Sequence, residues 1–214
     1  MSSAADLAQR RLYLCTPDRP DLEGFVAACI AGGVDVVQLR EKHLEARALI
    51  ERAIVARDVC RAAGVPFVLN DRPDLALVVE ADGVHVGQDD VPVDVARRIL
   101  GPDAIVGLST HSESDLSGAA AEDVTYISAG PVEATPTKPG RPGTGLGYVT
   151  SASARSSCPV YVTGGVTPER VPALAAAGVR HFVVVRYLTD APDARHAAAE
   201  LRHAIDRSLS NGPP

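Results

Sequence analysis

Several short stretches of this chain carry side chains suited to holding phosphate. Gln38-Leu39-Arg40-Glu41-Lys42 sets an amide, a guanidinium and an ammonium at alternate positions. On a strand such positions share one face, so the three would aim together at a multiply charged anion. Asn70-Asp71 and Gly87-Gln88-Asp89-Asp90 each end on a carboxylate, and Gly107-Leu108-Ser109-Thr110-His111 offers a hydroxyl and an imidazole. Gly130-Pro131-Val132-Glu133-Ala134-Thr135-Pro136-Thr137-Lys138 places two hydroxyls and an ammonium beside the glycine-rich stretch Pro139 to Gly147. Thr163-Gly164-Gly165-Val166-Thr167-Pro168 lets backbone amides approach a ligand, and Arg186 adds a cation after the next apolar run.

Each stretch also has a plainer reading. Arg40 and Lys42 could sit in a salt-bridged layer with Glu41, although burying two cations without an anion is costly. Asp71 and Asp90 each precede an X-Pro pair and could cap helices. If they lie on neighbouring strands, they could instead share one Mg²⁺, which takes one or two carboxylates plus phosphate oxygens and water. His111 could act as a general base, although a loop histidine near a helix start is more often a satisfied surface group, and His85 reads as a packed core histidine. Two anion sites emerge: Arg40, Lys42, Asn70 and Lys138 with the carboxylate pair suit a diphosphate, while Gly165, Val185 and Arg186 suit a single phosphate.

The elements that must position these groups alternate along the chain. Expected strands are Leu12–Cys15, Asp35–Leu39, Phe67–Leu69, Gly83–Val86, Ile105–Leu108, Tyr126–Ala129, Val160–Thr163 and Phe182–Val185. Expected helices are Asp21–Ala31, Leu44–Ala63, Pro73–Glu80, Pro92–Leu100, Glu113–Ala121, Tyr148–Arg155, Pro168–Ala177 and Ala194–Leu209. Eight βα units over 214 residues imply an α/β protein with a single (β/α)8 TIM barrel as its one domain, a doubly wound open sheet being the alternative. Residues 1–9 and 210–214 read as disordered tails. Every phosphate-handling stretch follows an expected strand, at the face where barrels bind ligands.

Composition narrows the partners. A net charge of −6 argues against nucleic acid, and no apolar run is long enough for a membrane span. Cys15, Cys29, Cys60 and Cys158 lack metal-ligand spacing and read as buried small residues in a reducing compartment. The expected location is the cytoplasm, the expected partners are small-molecule substrates, and a homo-oligomer is compatible with the sequence.

Taken in order, Gln38-Leu39-Arg40-Glu41-Lys42, Asn70-Asp71, Gly87-Gln88-Asp89-Asp90, Ser109, Gly130-Pro131, Thr135-Pro136-Thr137-Lys138 and Gly164-Gly165 make the chain resemble the thiamine-phosphate synthase (thiamine phosphate pyrophosphorylase) family over nearly its whole length. The resemblance implies a transferase joining 4-amino-2-methyl-5-(diphosphooxymethyl)pyrimidine to 4-methyl-5-(2-phosphooxyethyl)thiazole, or its carboxylate, and releasing diphosphate. It implies that Gln38, Leu39, Arg40, Glu41, Lys42, Asn70, Ser109 and Lys138 bind the pyrimidine diphosphate, with Arg40, Lys42, Ser109 and Lys138 catalytic. It assigns Mg²⁺ to Asp71 and Asp90, and the thiazole phosphate to Thr135, Pro136, Thr137, Gly165, Val185 and Arg186. Position 186 departs from the pattern, since the family often has serine there. A thiazole tautomerase of the same superfamily and a non-catalytic phosphate-binding barrel are the rival readings.

Overall fold

Strict two-residue alternation sorts the strand residues into two cores. Leu12, Leu14, Val37, Leu39, Phe67, Leu69, Val84, Val106, Ile127, Val162 and Phe182 pack outward against the helices. Tyr13, Cys15, Val36, Val68, Ile105, Tyr126, Tyr161 and Val183 fill the space enclosed by the strands. A sheet apolar on both faces must be covered outside and filled inside, and closure meets both demands.

The computed structural model describes residues 7–134 and 142–210. Its strands are β1 (Leu12–Thr16), β2 (Val36–Leu39), β3 (Phe67–Asn70), β4 (Gly83–Val86), β5 (Ile105–Thr110), β6 (Tyr126–Ala129), β7 (Val160–Val162) and β8 (His181–Val184). They close in sequence order, every pair parallel, with β8 returning to β1. The helices are α1 (Leu22–Ala31), α2 (Ala46–Ala63), α3 (Pro73–Val78), α4 (Val93–Leu100), α5 (Glu113–Ala119), α6 (Gly145–Arg155), α7 (Val171–Ala176), α8 (Arg186–Thr189) and α9 (Ala194–Ser210). The fold is the TIM barrel that the alternation implied.

Three expectations change. Residues 7–9 are not a disordered tail: Leu7 is 1% exposed within the interior cluster, and the Tyr161 hydroxyl donates to its carbonyl at 3.0 Å. Ser210 likewise closes α9. Helix α6 begins at Gly145 rather than Tyr148, so part of the glycine-rich stretch is helical. Helix α7 begins at Val171 rather than Pro168: the Val171 N–H closes a turn on the Thr167 carbonyl, but Pro172 has no N–H to continue it. The short α8 lies below the length at which periodicity is visible.

Candidate active site

A cavity of about 650 Å³ opens at the C-terminal ends of the strands, within the size range of small-molecule sites. Gln38, Arg40, Lys42, Asn70, Asp71, Asp90, Ser109, Gly165, Val185 and Arg186 all line it. Thr135, Pro136, Thr137 and Lys138 lie outside the described residues. Leu39 and Glu41 do not line the cavity. Alternation turns Leu39 outward into the core, and the Glu41 carboxylate accepts the N–H groups of Lys42 and His43 at 2.8 and 2.9 Å.

Neither aspartate caps a helix. The residue before α3 is Arg72 and the residue before α4 is Pro92. Instead the Lys42 ammonium meets the Asp71 carboxylate at 2.7 Å, and the Asp90 carboxylate accepts the Gly87 N–H at 2.8 Å. The two carboxyl groups hydrogen-bond each other. Burial pushes the Asp71 carboxyl above its ordinary range, opposed by Lys42 and reinforced by Asp90. Burial pushes Asp90 upward as well, but the contact with Asp71 and the Gly87 N–H outweigh it, leaving Asp90 below its ordinary range. Of the two, Asp71 is the carboxyl that more readily keeps a proton, and a divalent cation would relieve the same repulsion. Asp71 also sits at φ 61°, in the left-handed region that few side chains adopt. Among the described residues no group of three or more His, Cys, Asp or Glu side chains forms a metal cage. A two-carboxylate site fits Mg²⁺, which completes its shell with water and substrate oxygens.

Beneath these charges lie two amides with buried N–H groups that find no acceptor among the described residues, Gln38 Nε2 and Asn70 Nδ2. A buried orphan donor costs about 1–3 kcal/mol, which a ligand acceptor in the cavity would recover. Ser109, 4% exposed, sets its hydroxyl 2.9 Å from His85 Nε2. His85 is indeed buried, yet it also belongs to the cavity wall. His111 lines the wall too, with Nδ1 2.6 Å from the Gly130 carbonyl.

On the opposite side, Gly164 and Gly165 hold φ values of 97° and 76°. A Cβ at Gly164 would approach Val132 N to 2.6 Å, so glycine lets the β6 and β7 loops lie together. Glu133 and Arg170 form an ion pair across the same loops. The expected helix N-terminus beside Gly165 is absent, because α7 starts further on. Gly164, Gly165, Val185 and Arg186 line the cavity there without a helix N-terminus at Gly165. Cys15, Ser128 and Tyr187 also line the cavity and were not anticipated, while Gln88 and Pro131 line it from stretches the sequence had singled out. Inward alternation could have flagged Cys15 and Ser128, as it did Gln38.

Residues 12–188 match the family described as Thiamine monophosphate synthase. The chain belongs to that family. It is 44% identical over 213 residues to the Thiamine-phosphate synthase of Mycobacterium bovis, covering 93% of this chain and 96% of the relative. The protein of the same name from Acidothermus cellulolyticus is 45% identical over 201 residues, covering 92% and 95%. The solved thiamine phosphate pyrophosphorylase from Pyrococcus furiosus is 30% identical, with a TM-score of 0.85 over 94% of this chain and 98% of that one. A 3-hexulose-6-phosphate synthase at 21% identity and TM-score 0.66 shares the barrel fold. Members of this family are transferases, and this chain is an enzyme of that class. Among the described residues no helix is long and apolar enough to cross a membrane.

Proposed function

We propose that the barrel is a cytoplasmic, Mg²⁺-dependent thiamine-phosphate synthase. It joins 4-amino-2-methyl-5-(diphosphooxymethyl)pyrimidine to 4-methyl-5-(2-phosphooxyethyl)thiazole, or its carboxylate. The observation that carries this reading is the Asp71–Asp90 carboxyl pair, which caps no helix and meets Lys42 inside the cavity. Mg²⁺ held by the pair supplies neutralisation of the leaving group's charge.

The residues have a binding and charge-stabilising task. Arg40 and Lys42, joined by Lys138 on the strength of its sequence position, bind the diphosphate. Gln38 and Asn70 offer their orphan N–H groups to substrate acceptors, and Ser109 donates to the diphosphate. The bond from the pyrimidine methylene to diphosphate breaks heterolytically, and diphosphate departs with the electron pair. The pyrimidine amino group stabilises the resulting cation, and the thiazole nitrogen lone pair closes the new C–N bond. No protein nucleophile is required, and preorganised donors in a shielded cavity are typically the largest catalytic contribution. Gly165, Val185 and Arg186, with Thr135, Pro136 and Thr137 assigned by sequence position, hold the thiazole phosphate.

The test is incubation with both substrates and Mg²⁺, reading thiamine phosphate as fluorescent thiochrome phosphate after oxidation. Asp71→Asn and Asp90→Asn should each raise the Mg²⁺ concentration for half-maximal rate at least about tenfold, the effect of losing one charged ligand. An unchanged magnesium titration in both variants removes the metal assignment.

A further inference from the structure

Behind Ser109 runs a buried row of hydrogen bonds that the reaction scheme does not use. His85 Nε2 lies 2.9 Å from Ser109 Oγ, and His85 Nδ1 lies 2.9 Å from the Tyr126 hydroxyl. The Tyr126 hydroxyl is in turn 2.8 Å from that of Tyr13. All four side chains are at most 8% exposed. The row is built into the sheet register. His85 on β4 pairs with Gly107 on β5, and Gly107 pairs with Tyr126 on β6. A Cβ at Gly107 would fall 2.2–2.4 Å from the Tyr126 ring atoms. Glycine there lets the phenol lie across β5 and stack on the imidazole, with centroids 5.6 Å apart at 25°.

The direction of these bonds follows from the far end. The Tyr13 hydroxyl is enclosed, and its hydrogen-bond partner among the described residues is Tyr126. Burial pushes both phenols well above their ordinary range, so both keep their protons. If the row pointed inward, the Tyr13 proton would have no acceptor, at a cost of about 1–3 kcal/mol. Pointing outward, Tyr13 donates to Tyr126, Tyr126 donates to His85 Nδ1, and His85 Nε2–H donates to Ser109 Oγ. The serine's own hydrogen is then left for the cavity. A serine beside a histidine usually suggests a nucleophile with its base, oriented by a carboxylate. Here a donor stands behind Nδ1, which holds the imidazole in the tautomer unable to accept the serine proton.

We propose that Tyr13, Tyr126 and His85 form a directed relay that fixes the Ser109 hydroxyl as a donor toward the cavity, making Tyr126 and His85 positioning residues for diphosphate departure. The proposal rests on Ser109 contacting the diphosphate, as in the function proposed above.

A double-mutant cycle tests it, with folding checked by thermal midpoint. Ser109→Ala and Tyr126→Phe should each lower kcat about tenfold, equivalent to one hydrogen bond, with KM for the pyrimidine diphosphate changed less than about twofold. The double variant should be no slower than Ser109→Ala alone. His85→Gln, whose amide N–H can still reach Ser109, should retain more rate than His85→Leu, and this pair decides the matter if Tyr126→Phe does not fold. Multiplying losses in the double variant, equal rates for the two His85 variants, or a Ser109→Ala enzyme at the wild-type rate would each overturn the relay. A wild-type protein that makes no thiamine phosphate sinks the activity instead. Titration of inorganic diphosphate with Mg²⁺ then reads the same cycle: equal, non-multiplying weakening upholds the relay, and independent losses or none reject it.

Discussion

Gln38 and Asn70 are single side chains whose burial at the cavity serves the proposed ligand better than the fold. Each buries at the cavity an amide N–H that has no partner among the described residues, at a cost to the fold. Gln38→Met keeps the shape and removes the orphan donor. It should raise the thermal midpoint by a few degrees, since about 1 kcal/mol shifts a chain of this length by about 2–4 °C. The same change should raise KM for the pyrimidine diphosphate at least about tenfold, because the ligand loses its donor. Calorimetric melting and steady-state kinetics on one variant check both halves, and a lower midpoint with unchanged KM would show the amide to be structural. Asp71 belongs to the same class, held at φ 61° and bound to Lys42 rather than spent on a cap.

At the scale of elements, Gly164 joins two loops that must converge. The Val132 N–H donates to the Thr163 carbonyl at 2.8 Å and the Thr144 N–H to that of Pro131 at 2.8 Å, so both flanks of residues 135–141 are tied near the end of β7. Gly164→Ala would press a Cβ within 2.5 Å of Pro131 Cβ at φ 97°, pushing the β6 loop away. Misplacement on that scale costs up to about a hundredfold in rate. KM for the thiazole phosphate should rise while KM for the pyrimidine diphosphate stays, measured by varying each substrate in turn. An equal rise in both would mean that the barrel itself was disturbed. These elements were largely legible in the sequence, because β-branched runs with period two and punctuating Gly and Pro are local signals. The exceptions have local causes as well. Gly145-Leu146-Gly147 reads as loop by composition yet opens α6, and Thr167-Pro168 reads as a cap yet makes a turn before α7. The cavity lining was legible where alternation applies, as at Gln38, Arg40 and Ser109. It was not where register matters: nothing local tells that Gly107 brings Tyr126 onto His85.

Across the whole molecule the two ends of the barrel divide the labour. The cavity and its charged lining lie at the C-terminal end, whereas the opposite end is closed by Leu7 to Arg11. There the Asp35 carboxylate accepts the N–H groups of Arg11 and Leu12 at 2.9 and 2.8 Å and pairs with Arg202 at 2.8 Å. His181 lies in this seal, with Nδ1 2.6 Å from the Arg10 carbonyl. Burial lowers its pKa from 6.5 to about 4, helped by Arg11 and Arg180 and opposed by the bond to Arg10. Below pH 6.5 the unfolded chain takes up a proton that the folded one refuses. Stability from this group is therefore complete above pH 6.5 and is lost as pH falls toward 4, by roughly 2–3 kcal/mol. His181→Asn keeps a side-chain N–H able to reach the Arg10 carbonyl and has no proton to gain. Asp35, whose carboxyl burial pushes upward, acts with opposite sign but is common to both proteins, so the difference between them isolates His181. Denaturant midpoints from pH 7 to 4 should fall more steeply for the wild type than for His181→Asn. Parallel curves would mean that His181 takes up its proton as readily in the folded protein as in the unfolded chain.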